Sequence, residues 1–358
     1  MGHERHMPEN LNGTAASDRP LYPEPTARRK GVAVVTGGSA GLGRAVVREL
    51  TGLGYDVAVM ARESDGLHAA AREVDLAGQR GLALPVDVAD ADAVEAAAER
   101  VEQELGPIDV WVNDAMTSVF ARFLDVRPDE FERATQVTYL GFVNGTRAAL
   151  RRMAPRNAGH IVQVGSSLAF RGIPLQSAYC GAKHAMVGFT ESVQAELDHD
   201  GSDVVISMVH MPALNTPQFG WVRSRLPKHP QPVPPIFQPE VGARAVAFVV
   251  QHPRRRTMVT WRTSAIAVGN ALAPRLLDWF VSRTGVDGQQ TDEQLPVYGD
   301  NLDKPVHDDI GAHGSFDHRA KSASPETWLN LRVGHLVGTA AGLAGGAVRG
   351  LAGAVRSR

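Results

Sequence analysis

Only one cysteine, Cys180, occurs in 358 residues, so no internal disulfide framework is possible and a reducing compartment is expected. Beside a tyrosine it could be read as a nucleophile, but a small residue packed at a helix start is the simpler expectation. There is no excess of charge of either sign. Lys and Arg number 37 against 39 Asp and Glu, a net charge of −2, which leaves no electrostatic footprint for nucleic acid. No basic-then-apolar stretch opens the chain, so no signal peptide is expected and the cytoplasm is the expected location. The 13 histidines show no ligand spacing, and no catalytic metal is predicted. Internal repeats are missing too. A hydrophobic content of 43% is that of an ordinary globular chain with ample length for a core.

What is present begins at residue 31. Residues 1–30 are polar and proline-rich and read as a disordered arm ending in Arg28-Arg29-Lys30. From Gly31 to about residue 263, strand-like and helix-like runs alternate, which predicts a doubly wound parallel sheet with helices on both faces, a three-layer α/β/α architecture. Strands are expected at Val32–Val35, Asp56–Met60, Leu82–Val86, Ile108–Val112, His160–Val164, Val204–Met208 and Thr257–Trp261. Two helical pieces are expected over Pro128–Arg152 and one long helix to about His199. Residues 264–330 read as a partly helical extension whose 285–325 stretch is polar and irregular.

Two motifs carry chemistry. Thr36-Gly37-Gly38-Ser39-Ala40-Gly41-Leu42-Gly43 joins an apolar strand to a helix, and its glycines let helix N–H groups approach a pyrophosphate. Farther on, Tyr179 and Lys183 are four residues apart, so on a helix they leave the same face. An ammonium there, with a cationic nicotinamide nearby, is expected to lower the phenol's pKa so that Tyr179 can exchange a proton near neutrality. Ser166, at the end of an apolar strand, could hold the same substrate oxygen.

Together, TGGSAGLG and Ser166…Tyr179-x-x-x-Lys183 resemble the short-chain dehydrogenase/reductase family in its shorter one-domain branch, over roughly Gly31 to Trp261. The longer branch of epimerases and dehydratases would show T-G-x-x-G-x-x-G, which this sequence does not. The resemblance implies a Rossmann-like fold and an NAD(P)-dependent conversion between carbonyl and alcohol, with Ser166, Tyr179 and Lys183 catalytic. It places Thr36, Gly37, Ser39, Gly41, Leu42, Gly43, Asp87, Val88, Asn113, Ala115, Pro212 and Thr216 at the cofactor, with Tyr179 and Lys183 at its ribose. At the end of the second strand, where an acid would bind a ribose, stands Arg62, which suits a 2′-phosphate; NADP(H) is expected, with NAD(H) as the alternative.

Two departures bear on activity. Asn113-Asp114-Ala115-Met116 replaces Asn-Asn-Ala-Gly, and Thr138 occupies the position of the asparagine that holds a relay water. Thr138 can still hold a water, but has one donor and a shorter reach. A cofactor-binding protein with little or no turnover, a redox sensor or scaffold, is therefore the alternative reading. Substrate choice is expected to lie with Met116–Phe123, Leu168–Gln176 and Ala213–Phe237, whose Phe, Leu, Met and Trp suit a hydrophobic substrate or equally the packing of these loops on the core. The resemblance implies a homodimer or homotetramer through the helices of Pro128–Arg152 and Cys180–Leu197. In the tail, 331–358, glycines recur every four positions from Gly334 to Gly350. It is expected to be disordered in water, with weak peripheral contact to a membrane as a further possibility.

Overall fold

The computed structural model describes residues 29–294, 300–325 and 327. The expectations for the N-terminal arm (up to residue 28) and for the glycine-rich tail lie outside the described residues.

Seven strands form one parallel sheet: β1 (Gly31–Thr36), β2 (Tyr55–Ala61), β3 (Gly81–Pro85), β4 (Ile108–Asn113), β5 (His160–Ser166), β6 (Val205–Met211) and β7 (Arg256–Met258). Their order is β7-β6-β5-β4-β1-β2-β3. The helices between them are α1 (Gly41–Gly52), α2 (Asp65–Leu76), α3 (Ala91–Glu104), α4 (Pro128–Thr135), α5 (Gly141–Met153), α6 (Ser177–His199) and α7 (Pro239–Gln251). Near-continuous apolar runs such as Gly31-Val-Ala-Val-Val-Thr36 suit strands covered on both faces. Alternate residues go to opposite sides. Ala33 and Val35 pack with Val46, Leu50 and Val246 on one face, while Val32 and Val34 pack with Val94, Val101 and Ala149 on the other.

The order reverses at β1, which pairs with both β2 and β4. A crevice therefore opens past the carboxyl ends of these strands, where doubly wound sheets bind ligands. Local signals place the helices. Asp90 accepts from the Asp92 and Ala93 amides at 3.0 Å and starts α3. Ser64 accepts from Leu67 N at 3.2 Å and starts α2.

The two helical pieces expected over Pro128–Arg152 are α4 and α5, joined through one wide π-helical turn, Gln136–Leu140. Two expectations need correction. The last strand ends at Met258, because Thr260 accepts from Thr263 N and begins a new helix, α8 (Trp261–Leu272). The helical stretch beyond is two helices, since Pro274 breaks it before α9 (Pro274–Thr284). Past α9 the chain is irregular but closely bonded. A short strand, Gln290–Gln294, pairs antiparallel with Lys228–Pro230, and Leu302 is fully buried among Val119, Ala121, Ala134 and Ala178.

Candidate active site

β1 ends in a turn that only glycine can make. Gly37 has φ +73°, and a Cβ on it would lie 2.8 Å from Ala115 Cα. A Cβ on Gly43 would lie 2.3 Å from the Gly37 carbonyl oxygen, so the turn and α1 need glycine at both places. Thr36 clamps this turn to β4: its hydroxyl accepts from the Asp114 and Ala115 amides at 3.0 and 3.2 Å. No side chain caps α1, and its first turn holds no acid. Its Gly41 amide is bonded to Gly311 O, so the Leu42 amide and the helix dipole make the cradle that fits a pyrophosphate.

One cavity of about 850 Å³ runs from this cradle in two directions. Toward one end it is lined by Ser39, Arg62, Asp87 and Val88, and toward the other by Ser166, Tyr179 and Lys183 with Pro212 and Thr216. Gly37, Gly41, Leu42 and Ala115 also face it. Three expected cofactor residues do not line it. Thr36 and Gly43 shape the turn from beneath. Asn113 is buried with its amide committed: its oxygen accepts from Trp111 Nε1 at 2.8 Å and its nitrogen donates to Gln163 Oε1 at 2.9 Å. Its work is to tie β4 to β5.

Ser166, Tyr179 and Lys183 meet at one wall. Ser166 ends β5, where its Oγ accepts from Leu168 N at 3.1 Å, and its side chain faces the Tyr179 phenol across the cavity wall. Lys183, one turn beyond Tyr179 on α6, donates to the Val164 carbonyl at 2.8 Å, its Nζ 5.5 Å from the Tyr179 ring centroid. Burial lowers the Lys183 pKa to about 8, against the opposing charge of Asp114. The expected lowering of Tyr179 is reversed in the protein itself. Burial raises it, the Ser166 side chain opposes, and the charges of Cys180 and Asp114 add to the rise. The protein's own groups therefore hold the phenol protonated.

Asp114, which the sequence shows only as a departure, lines the cavity and acts electrostatically on Lys183. Burial raises its carboxyl to about 7, opposed by the Lys183 charge and by a hydrogen bond from the Gly43 amide. Thr138, on the π-helical turn, is buried, and its hydroxyl donates to Thr117 O at 2.7 Å and accepts from Thr117 N at 3.0 Å. Its one proton is thereby used, and the expected water-holding role has no free donor there. His210 on β6 backs the serine. It is fully buried, its Nδ1 lies 3.2 Å from the Ser166 carbonyl oxygen, and burial lowers its pKa to about 4, so it is neutral. A single histidine in an apolar strand gave no sequence signal for this.

The extension also belongs to the site. Residues 300–316 form a strap across the end of the cavity that holds Arg62 and Asp87. Asn301 N donates to Trp221 O at 2.9 Å, Asp65 N to His307 O at 2.8 Å, Gly41 N to Gly311 O at 3.0 Å, and Phe316 N to Asn215 Oδ1 at 3.0 Å. Arg62 donates to the carbonyls of Asn301 and Leu302, two of its five N–H groups, leaving the rest for an anion. Asp87 is ion-paired with Arg133, which also reaches the Leu302 carbonyl.

Comparison with known proteins agrees with this geometry. The family model described as short chain dehydrogenase matches residues 31–225. An uncharacterized oxidoreductase, YxnA, of Bacillus subtilis is 33% identical over 249 residues, 69% of this chain and 70% of that one. The 3-dehydrosphinganine reductase of Danio rerio is 33% identical over 204 residues, 56% of this chain and 61% of that one. Among solved structures, a metagenomic short-chain oxidoreductase in complex with NADP has a TM-score of 0.55 at 26% identity, covering 65% of this chain and 98% of that one. An alcohol dehydrogenase of Thermococcus sibiricus, complexed with 5-hydroxy-NADP, has a TM-score of 0.56 at 28% identity, covering 64% and 94%. The chain belongs to the short-chain dehydrogenase family, and so to the NAD(P)-dependent oxidoreductases.

Proposed function

We propose that the chain is an NADP(H)-dependent oxidoreductase that interconverts a carbonyl and an alcohol on a hydrophobic substrate. The reading is carried by the convergence of Ser166, Tyr179 and Lys183 on one wall of a cavity whose farther walls, including Leu168, Ile173, Phe219 and Val233, are apolar. Arg62, at the end that would take the adenosine, supports NADP(H), and both solved neighbours carry NADP or a hydroxylated form of it. NAD(H) is the lesser alternative.

When bound, the nicotinamide supplies the hydride in reduction and takes it in oxidation. Tyr179, held protonated by its surroundings, gives its proton to the substrate oxygen in reduction. Ser166 steadies that oxygen with a hydrogen bond as it gains negative charge. Lys183 spends one N–H on Val164 and keeps two for the nicotinamide ribose. The cradle at α1 would hold the pyrophosphate, with Thr216 and Pro212 beside the nicotinamide. Exposed Phe123, Leu124 and Leu140, beside α4 and α5, support a homodimer or homotetramer formed through the helices of Pro128–Arg152 and Cys180–Leu197.

Binding without turnover is the second reading, and the engaged hydroxyl of Thr138 favours it. A panel of hydrophobic ketones and aldehydes with NADPH, followed by nicotinamide absorbance, separates the two. Tyr179→Phe is expected to lower turnover by about 10²–10⁴-fold while NADPH binding persists. A Tyr179→Phe enzyme as fast as wild type would remove Tyr179 from the mechanism.

A further inference from the structure

α8 and α9 are apolar on two sides. Toward the protein, half-buried Ile266, Leu277 and Val281 line the cavity, and Phe280 reaches both the cavity and solvent. Away from it, Val268, Leu272, Leu276 and Trp279 are 56, 80, 64 and 54% exposed. No residue of α9 is buried, and of α8 only Thr263 is. A helix on a protein in water normally hides its apolar stripe and turns a polar face outward, so a contiguous outward apolar face marks a contact surface.

The charges on this pair of helices are mostly positive. Arg262, Arg275 and Arg283 face a single acid, Asp278, which Arg171 already engages. Arg283 lies over the Trp279 ring at 4.4 Å and Arg262 over Trp261 at 5.5 Å. Tryptophan and arginine on an otherwise apolar amphipathic helix suit the boundary between headgroups and acyl chains. Among the described residues no helix is long and apolar enough to cross a membrane, so such a contact is peripheral. A second copy of the chain fits less well. Two-fold pairing sets a patch against itself and would bring its arginines together without a free acid.

We propose that the outward face of α8 and α9 docks on an anionic lipid surface, and that apolar substrate passes from the lipid between these helices into the cavity. The passage rests on the proposed oxidoreduction of a hydrophobic substrate; the docking does not.

The test uses the full chain and the double variant Leu272→Glu/Leu276→Glu, neither residue lining the cavity. Each is co-sedimented with vesicles of phosphatidylcholine alone and of phosphatidylcholine with phosphatidylglycerol. Wild type is expected to pellet with the anionic vesicles, and the variant's partition to fall at least about tenfold. Should the double variant misfold by circular dichroism, Arg275→Glu/Arg283→Glu replaces it and is expected to abolish the preference for anionic vesicles. Wild type remaining in the supernatant with both vesicles overturns the docking. So does a folded variant that pellets like wild type, which would put the contact elsewhere in the chain, the tail included. A variant that becomes a smaller oligomer by light scattering, while wild type ignores vesicles, assigns the face to a second copy and also overturns it. A short water-soluble ketone reads chemistry apart from docking. Vesicle binding without turnover of any carbonyl supports the docking and overturns the proposed function. With turnover present, kcat/KM for a long-chain ketone held in vesicles is expected to fall in the variant and that for the short ketone to stay. An equal fall in both overturns the passage.

Discussion

The hydroxyl of Thr138 and the backbone of Thr117 satisfy each other: the hydroxyl donates to the carbonyl at 2.7 Å and accepts from the amide at 3.0 Å. Both residues are buried, so the pair is a structural staple between the π-helical turn and the loop after β4. Thr138→Ala leaves the Thr117 amide and carbonyl without partners, and stability should fall by about 1–3 kcal/mol. Thr138→Ser should keep it. Turnover per folded molecule should stay near wild type in both, because the hydroxyl has no proton left for a relay. Denaturant unfolding and steady-state kinetics check this. An alanine variant of normal stability but with activity down about a hundredfold would show that Thr138 acts in the chemistry.

Asp114 makes the pH profile informative. Its negative charge raises the Tyr179 pKa by repulsion and raises that of Lys183 by attraction. Asp114→Asn removes both effects, so the phenol should ionise at lower pH. In oxidation, which needs the phenolate, the rising limb of kcat/KM should move to lower pH. In reduction, which needs the phenol, activity should fail at lower pH than in wild type. The two limbs moving together in that direction support the assignment. Profiles that superimpose on wild type would leave Asp114 without influence on the acid.

Residues whose role follows from local geometry were legible in the sequence. Tyr179 and Lys183 share a face because helices repeat, and Gly37 and Gly43 mark a turn that any side chain would block. Arg62 was singled out by its distance from the glycine turn, and it lines the cavity. What escaped depends on distant segments meeting. The raised Tyr179 pKa comes from burial and from Asp114, 65 positions earlier in the chain, neither visible in a Tyr-x-x-x-Lys spacing. Leu302 sits in a stretch without periodicity, and its burial rests on Val119, Ala134 and Ala178 from three separate places. Asn113 misled for the opposite reason: it matches a cofactor motif, but Trp111 and Gln163 consume its amide.

Arg62 has two candidate partners, and binding separates them. If its remaining donors hold a 2′-phosphate, NADPH should bind more tightly than NADH. Arg62→Ala should then weaken NADPH by about 1.5–3 kcal/mol, the worth of a hydrogen bond to a charged group, and leave NADH nearly unchanged. Titration of nucleotide fluorescence with both cofactors reads the difference. Equal losses for the two would mean that Arg62 serves only to fasten the carbonyls of Asn301 and Leu302.

The strap itself should govern cofactor exchange. It touches the rim of the cradle at Gly41 and the loop beside Thr216 through Asn215, so a nucleotide seated below must leave past it. Its one deeply buried apolar anchor among residues 300–309 is Leu302, fully enclosed. Leu302→Ala removes that anchor, and a buried leucine is worth about 2–5 kcal/mol when truncated to alanine. If the strap opens as a unit, most of that loss appears as local opening rather than global unfolding. The Asp65 amide, bonded to His307 O, should then exchange hydrogen faster, while sheet amides such as Val34 keep their protection. NADPH dissociation, followed by stopped-flow fluorescence, should quicken in step with that exchange. Unchanged dissociation together with faster Asp65 exchange would mean that the strap opens without gating the nucleotide.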